Sequence, residues 1–201
     1  TYLASDELKG RASFSHEIDQ AANYIAKRFK DIGLKPLKNK SFLQPFTVYN
    51  IQPQTLTVVL NNKKISRENV AIATTIEKIN WQNNIAHVQI VGKDDDLRKT
   101  LRELNQQGGQ HLVVIHNTHA KIFKAYQNYF TRGLTKLSLE HSGALVLVLS
   151  DDDQIENYAI NANVKITQQS LTNVVGILPG TQSAKEIVLY SSHYDHLGVT
   201  E

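Results

Sequence analysis

The stretch IVLYSSHYDHLG, residues 187–198, decides the fold class that we predict for this chain. It opens with four apolar residues, so we predict a buried strand over Glu186–Ser191. A glycine-containing loop follows and carries His193 and Asp195. In open α/β sheets the active site lies at the carboxyl ends of the strands. The stretch therefore predicts an α/β fold with a functional site at this loop.

His193 and Asp195 are residue types that can form a metal site. An imidazole is a good ligand when its second nitrogen donates to a carboxylate that fixes its tautomer, and a carboxylate two residues away can do this. Asp195 could instead bind the metal directly. A single His-x-Asp is also common in ordinary polar loops, so the pair alone leaves both interpretations open.

Outward from this loop, the pattern predicts helices, strands and an irregular section. Ser15 is a candidate N-cap for an amphipathic helix over Glu17–Ile32, and the three carboxylates of Asp94–Asp96 precede a second helical pattern. The other predicted elements are strands over Thr55–Leu60, Ile85–Val91, His111–Ile115, Ala144–Leu149 and Asn173–Leu178, helices after Thr118 and over Asp151–Ile160, and irregular chain over Phe42–Gln54.

Composition excludes several classes of protein. The 201 residues are 41% hydrophobic and 20% charged, which is typical of a globular chain. The net charge of +3 is spread along the sequence, so no basic patch indicates nucleic-acid binding. No apolar run has the length of a membrane-spanning helix. The chain has no Cys, so any metal must be held by His, Asp or Glu.

The other histidines and the acidic runs have simpler explanations than metal binding. We interpret His111, His116 and His119 as solvated strand ends with no carboxylate cluster beside them. His16, His87 and His141 are isolated. The runs Asp94–Asp96 and Asp151–Asp153 lack the spaced oxygen ligands of a calcium loop, and helix capping explains both. A metallo-β-lactamase site is also disfavoured, because its His-x-His-x-Asp-His motif needs a histidine where this chain has Ser191.

Two stretches near the ends of the chain carry a likeness to a known family. The first is YLASDELKGR, residues 2–11, with AANYI at 21–25 and GLKP at 33–36. The second is NVVGILPG, residues 173–180, together with residues 187–198. In this order they resemble the M28 family of zinc peptidases, in the branch with an inserted protease-associated (PA) domain. The section between them has the length and strand–helix–strand alternation of such an insert.

The resemblance implies an architecture and a metal site. The fold would be the start of a zinc-exopeptidase α/β sandwich, incomplete here, with a small α/β PA-like domain inserted. Residues 1–46 and 167–201 would belong to the peptidase domain, and residues 47–166 would form the PA-like domain. His193 would bind one zinc of a two-zinc site, and Asp195 would be the catalytic carboxylate that orients His193. The other ligands and the general base would lie beyond Glu201.

We therefore expect an N-terminal fragment that holds little or no zinc and is inactive alone. The parent protein would be a secreted or periplasmic zinc metallopeptidase, an aminopeptidase acting on peptide substrates. Carboxypeptidase and glutaminyl-cyclase chemistries occur in the same family and stay open. The alternative is a non-catalytic relative that uses the PA-like domain as a protein-binding module. The pair of His193 and Asp195 weighs against it, because such a relative has no need of a ligand and its orienting partner.

Overall fold

The computed structural model describes residues 2–37, 40–140, 143–181 and 186–199. The chain is of mixed α/β type and divides into two compact units. The first unit contains residues 1–47 and 169–201, and the second unit contains residues 48–168. None of the helices in the described ranges is long and apolar enough to cross a membrane.

The helices are α1 (His16–Asp31), α2 (Leu97–Gln107) and α3 (Ala120–Thr131), with 3₁₀ turns at Tyr2–Ala4, Asp6–Leu8, Arg67–Asn69 and Asn117–His119. The strands are β1 (Lys35–Pro36), β2 (Leu43–Leu60), β3 (Lys63–Lys64), β4 (Val70–Thr74), β5 (Lys78–Gln82), β6 (His87–Val91), β7 (Gly109–Ile115), β8 (Leu134–Lys136), β9 (Gly143–Leu149), β10 (Tyr158–Val174) and β11 (Gly176–Ile177).

A four-stranded sheet in the order β4-β9-β7-β6 forms the centre of the second unit. Strands β6, β7 and β9 are parallel, and β4 is antiparallel to β9. The central strands are apolar on both faces, as expected for a sheet that is covered on both sides. One face packs against α2 and α3 through a cluster that includes Leu101, Phe123 and Leu147.

The other face of this sheet packs on a second sheet in the order β3-β2-β10-β5, to which β8 adds along β2. Trp81, Leu112, Val146 and Ile160 lie in the apolar cluster between the two sheets. The second unit is therefore layered as sheet, sheet and helices, with an apolar cluster at each of its two interfaces.

In the first unit, α1 begins where Ser15 Oγ accepts a hydrogen bond from the Ile18 N–H at 3.2 Å, which is the N-cap arrangement. Near its other end, Phe29 lies against Gly176 of β11, where a Cβ would come within 2.8 Å of the Phe29 ring. Strand β11 pairs antiparallel with β1. The helix and the two short strands therefore pack together within this unit.

Several predicted elements are confirmed. The structure has α1 where Ser15 predicts a helix start, and α2 begins directly after Asp96, whose carboxylate accepts from the Lys99 N–H at 3.1 Å. Strands β6, β7 and β9 lie within two residues of their predicted bounds. A helix also follows Thr118, beginning with a 3₁₀ turn and continuing as α3.

Three other predictions are wrong. Phe42–Gln54 was expected to be irregular because of Pro45 and Pro53, but nearly all of it belongs to β2, since the fixed φ of proline suits extended chain. The helix predicted over Asp151–Ile160 does not form, and β10 begins at Tyr158 because Tyr158, Ile160 and Ala162 alternate into the core. The strand predicted over Glu186–Ser191 is absent, because no described strand pairs with that segment.

Candidate functional site

His193 and Asp195 contact each other in the first unit. Nδ1 of His193 lies 3.1 Å from the backbone oxygen of Asp195 and 3.3 Å from its Oδ1. Both neighbours are acceptors, so this nitrogen carries the proton when the ring is neutral. The lone pair is then on Nε2, for which no hydrogen-bond partner occurs in the described chain, and the side chain is 81% exposed. The ring is thus prepared to act as a ligand through Nε2.

Ser13 completes a short chain of polar contacts behind this imidazole. Its hydroxyl donates to Oδ2 of Asp195 at 3.1 Å, while Oδ1 of the same carboxylate faces His193. The two carboxylate oxygens therefore have separate partners from opposite ends of the sequence. Sequence reasoning missed Ser13, and the only signal available was its position just after the stretch at residues 2–11 that carries the family likeness.

Backbone contacts hold the loop at 193–198 against the segment that contains Ser13. The His196 N–H donates to the Arg11 carbonyl at 2.9 Å, and the Gly198 N–H donates to the Gly10 carbonyl at 3.1 Å. Nε of Arg11 donates to the Tyr194 carbonyl at 2.8 Å. These bonds place two segments about 180 positions apart in sequence side by side.

The close approach of these segments depends on glycine. Gly10 has φ +69°, and a Cβ there would lie 2.8 Å from the backbone of Gly198. Gly198 has φ +80°, and its Cβ would lie 2.9 Å from the Cβ of Ala12. Lys9 and Arg11 also have positive φ values, 39° and 49°, which are uncommon for non-glycine residues. Strained backbone of this kind is found at functional sites, where the surrounding contacts maintain it.

Tyr194 anchors the same loop from its other side. Its hydroxyl donates to the Thr172 carbonyl. Partial burial raises the pKa of this phenol, and the carboxylates of Asp19 and Asp195 raise it further. The neutral hydroxyl therefore persists at neutral pH and keeps its donor role.

The pair lines a cavity of about 1000 Å³ within the first unit. The apolar face of α1 forms part of its wall through Ile18, Ile25 and Phe29. The preceding stretch Ile187–Tyr190 is apolar yet almost fully exposed, with side chains 77–90% accessible. Contiguous exposed apolar residues of this kind usually contact another surface.

His193 and the residues around it can supply one zinc ligand but not a complete zinc site. A neutral imidazole whose Nδ1–H donates to a backbone carbonyl, with a carboxylate beside it and Nε2 open, is an arrangement that zinc-binding histidines have. Within the parts of the chain that the structure describes, no three His, Cys, Asp or Glu side chains come together to hold a metal ion. Since tetrahedral zinc sites use three or four protein ligands, His193 could supply one of them.

Of the other histidines, His196 lies in the same loop and has no described side-chain hydrogen bond, whereas His16, His111, His116 and His119 each have one. His116 is paired with a single carboxylate, since its Nε2 lies 3.1 Å from Oδ1 of Asp151. That carboxylate also accepts from the N–H and side chain of Asn117, the first residue of the 3₁₀ turn before α3, and does not cap a helix over Asp151–Ile160. His111 is buried rather than solvated, and one ring nitrogen lies 2.7 Å from the Gly108 carbonyl. His141 lies outside the described residues.

Comparison with known proteins gave matches only among solved structures. No family model matches the chain, and a search of curated proteins found no match. A peptidase M28 precursor from Shewanella amazonensis SB2B aligns over 94% of this chain with 12% identity and a TM-score of 0.33. BSAP, a zinc aminopeptidase from Bacillus subtilis, aligns over 89% with 14% identity and a TM-score of 0.27.

The chain spans about half the length of these two structures, 51% and 45% respectively. Both relatives are peptidases, and the likeness is distant.

Proposed function

We propose that this chain is the N-terminal part of a zinc-dependent exopeptidase, an aminopeptidase of the M28 type. Residues 1–46 and 167–201 belong to the peptidase domain in this proposal, and residues 47–166 form an inserted PA-like domain. The observation that carries the proposal is the state of His193, whose Nδ1 donates to Asp195 while Nε2 of this exposed side chain has no partner among the described residues.

The contacts around this imidazole support the proposal. The stretches at residues 2–11 and 187–198 each resemble the family, and Arg11 and the nearby Ser13 contact the second stretch. An ordinary polar loop needs neither a carboxylate on Nδ1 nor a glycine-dependent backbone contact behind it. A zinc ligand needs both a fixed tautomer and a fixed ring direction.

In this proposal His193 holds zinc through Nε2, and Asp195 keeps the proton on Nδ1. When bound, zinc acts as a Lewis acid toward a peptide carbonyl and lowers the pKa of water. The 201 residues supply one ligand of the site, so we expect this chain alone to bind zinc weakly and to hydrolyse no aminoacyl substrate.

The test compares three variants in the full-length protein that contains this chain. His193→Ala should lower both zinc content and turnover of a leucyl chromogenic substrate. Asp195→Asn should keep more of the metal, because the amide preserves the shape but accepts less well from Nδ1–H, with a loss of about 10- to 100-fold in affinity or activity.

His196→Ala is the matched control, because this exposed histidine lies in the same loop and contacts Arg11 only through its backbone N–H. It should retain zinc and turnover. Zinc is measured by elemental analysis on the purified variants. Full zinc content and normal turnover in His193→Ala would show that the metal assignment is wrong.

A further inference from the structure

We infer that Ser13 is a positioning residue of the proposed zinc site, holding the Asp195 carboxylate beside Nδ1 of the His193 ring. This inference rests on the proposed function and extends it to a residue that the family likeness does not assign. Ser13 acts through Asp195 and is therefore not a catalytic residue.

Both oxygens of the Asp195 carboxylate have a neighbouring polar group. Oδ2 accepts from the Ser13 hydroxyl at 3.1 Å, and Oδ1 lies 3.3 Å from Nδ1 of His193. The Asp195 side chain is 48% exposed, so without Ser13 it would be free to rotate toward water. A hydrogen bond at Oδ2 limits that rotation and keeps Oδ1 directed at the imidazole.

The placement of Ser13 is itself enforced by the backbone. Ala12, which directly precedes Ser13 in the chain, forms a parallel β-bridge with His196. Arg11, on the other side of Ala12, donates to the Tyr194 carbonyl and accepts from the His196 N–H. Ser13 is therefore delivered to Asp195 by contacts on the two residues that precede it, and its hydroxyl needs no other partner.

The inference assigns the role of Ser13 to its hydroxyl. Ser13→Ala removes the hydroxyl and Ser13→Thr keeps it, so the two variants together test that role. Ser13 is exposed, so neither change creates a cavity. Ser13→Ala in the full-length protein should weaken zinc binding by about 10-fold, at the lower end of the range for groups behind a metal ligand. Ser13→Thr keeps the hydroxyl and should bind zinc within a factor of about 2 of the wild type.

The measurement is zinc affinity by competition with a chromophoric chelator, together with far-UV circular dichroism to check the fold. Ser192→Ala is the matched control, because Ser192 is an exposed serine in the same loop whose hydroxyl, within the described residues, contacts only the His193 carbonyl. It should leave zinc affinity unchanged. A second readout uses the 201-residue chain without zinc: three-bond couplings of Asp195 should show a fixed χ1 rotamer in the wild type and in Ser13→Thr, and rotamer averaging in Ser13→Ala.

The outcomes separate this inference from the proposed function. If His193→Ala loses zinc but Ser13→Ala binds it normally, the role of Ser13 is wrong and the proposed function stands. Equal loss of zinc affinity in Ser13→Ala and Ser13→Thr would also overturn the role of Ser13, since the hydroxyl would then be irrelevant. If His193→Ala keeps its zinc, the proposed function fails, and an unchanged Asp195 rotamer in Ser13→Ala would reject the positioning role independently.

Discussion

At the scale of single residues, Gly10 and Gly198 show how closely the two ends of the first unit approach each other. Both have positive φ, and each is so near the opposite segment that a Cβ would come within 3 Å of it. Gly33 also has positive φ, +83°, but faces open space. This difference separates backbone strain from steric contact.

We expect Gly10→Ala to destabilise the first unit by about 1–3 kcal/mol, because it adds strain at positive φ and a clash with the Gly198 backbone. Gly33→Ala should cost less, about 1 kcal/mol, since it adds backbone strain but no steric clash. Urea unfolding followed by far-UV circular dichroism measures both. Trp81 fluorescence reports the second unit and should not shift in either variant. An equal loss of stability in the two variants would contradict the close contact.

The negative charge of the Asp151 carboxylate is stabilised by neighbouring hydrogen-bond donors. Hydrogen bonds from the Asn117 N–H and its side chain lower the pKa of this carboxyl, and the nearby His116 and Lys93 lower it further. A group whose pKa is lower in the folded state stabilises the fold above its unfolded pKa. That contribution is lost as the pH falls from the ordinary value of 3.8 through the lowered one.

We therefore expect the urea midpoint of the second unit to fall as the pH decreases through this range, and to fall less in Asp151→Asn. Trp81 fluorescence gives the midpoint, because this tryptophan is buried in the second unit. Asp153→Asn is the control, since that carboxylate is exposed and has no described contact. An acid dependence in Asp151→Asn equal to that of the wild type would refute the effect.

At the scale of elements, α2 shows which of three consecutive carboxylates begins a helix. Asp96 accepts from the Lys99 N–H at 3.1 Å, Asp95 accepts from the Gly92 N–H at 2.7 Å, and Asp94 has no described contact. The sequence predicts a cap somewhere in the run. The hydrogen bonds assign the role to Asp96, because it alone directly precedes the first turn of the helix.

We expect Asp96→Ala to lower the free energy of unfolding of the second unit by about 1 kcal/mol, the usual cost of losing an N-cap. Asp94→Ala should change it by less than about 0.5 kcal/mol, as for an exposed residue without contacts. Urea titration with Trp81 fluorescence compares the two. Similar losses in both variants would mean that the overall charge of the run, and not the cap, stabilises α2.

At the scale of the whole molecule, the two units differ in how they bury apolar residues. The second unit has an apolar cluster on each face of its four-stranded sheet, and its central strands are almost fully buried. In the first unit, Ile187–Tyr190 is apolar but exposed. The second unit thus has the interior that an independently folding domain requires, because burial of apolar surface is the main favourable term in folding.

We expect residues 48–168 to fold when produced as a separate chain. Its fluorescence should show Trp81 in an apolar environment, and it should unfold cooperatively in urea. The control is the same chain with Leu112→Ala, which removes a fully buried side chain between the sheets and should cost about 2–5 kcal/mol. Denatured-like fluorescence of the unsubstituted chain in buffer would contradict the prediction.

The amino-acid sequence by itself determined the features that depend on local pattern. Helical spacing and a capping side chain predicted α1 and α2, and an unbroken apolar run predicted the buried strand β9. These signals work because helix periodicity, caps and strand burial involve residues close together in the chain. The same locality made His193 and Asp195 recognisable as a pair, since they are only two positions apart.

Only the tertiary structure decided which distant residues meet. Ser13 reaches Asp195 and Arg11 reaches Tyr194 across more than 180 positions, and Asp151 reaches His116 across another long separation. The helix predicted at 151–160 does not form because Tyr158, Ile160 and Ala162 alternate into the core, a pattern that the sequence itself carries. The strand predicted at 186–191 does not form because no described strand pairs with it. Whether a segment becomes a strand depends on a partner elsewhere, and local periodicity carries no information about where that partner lies.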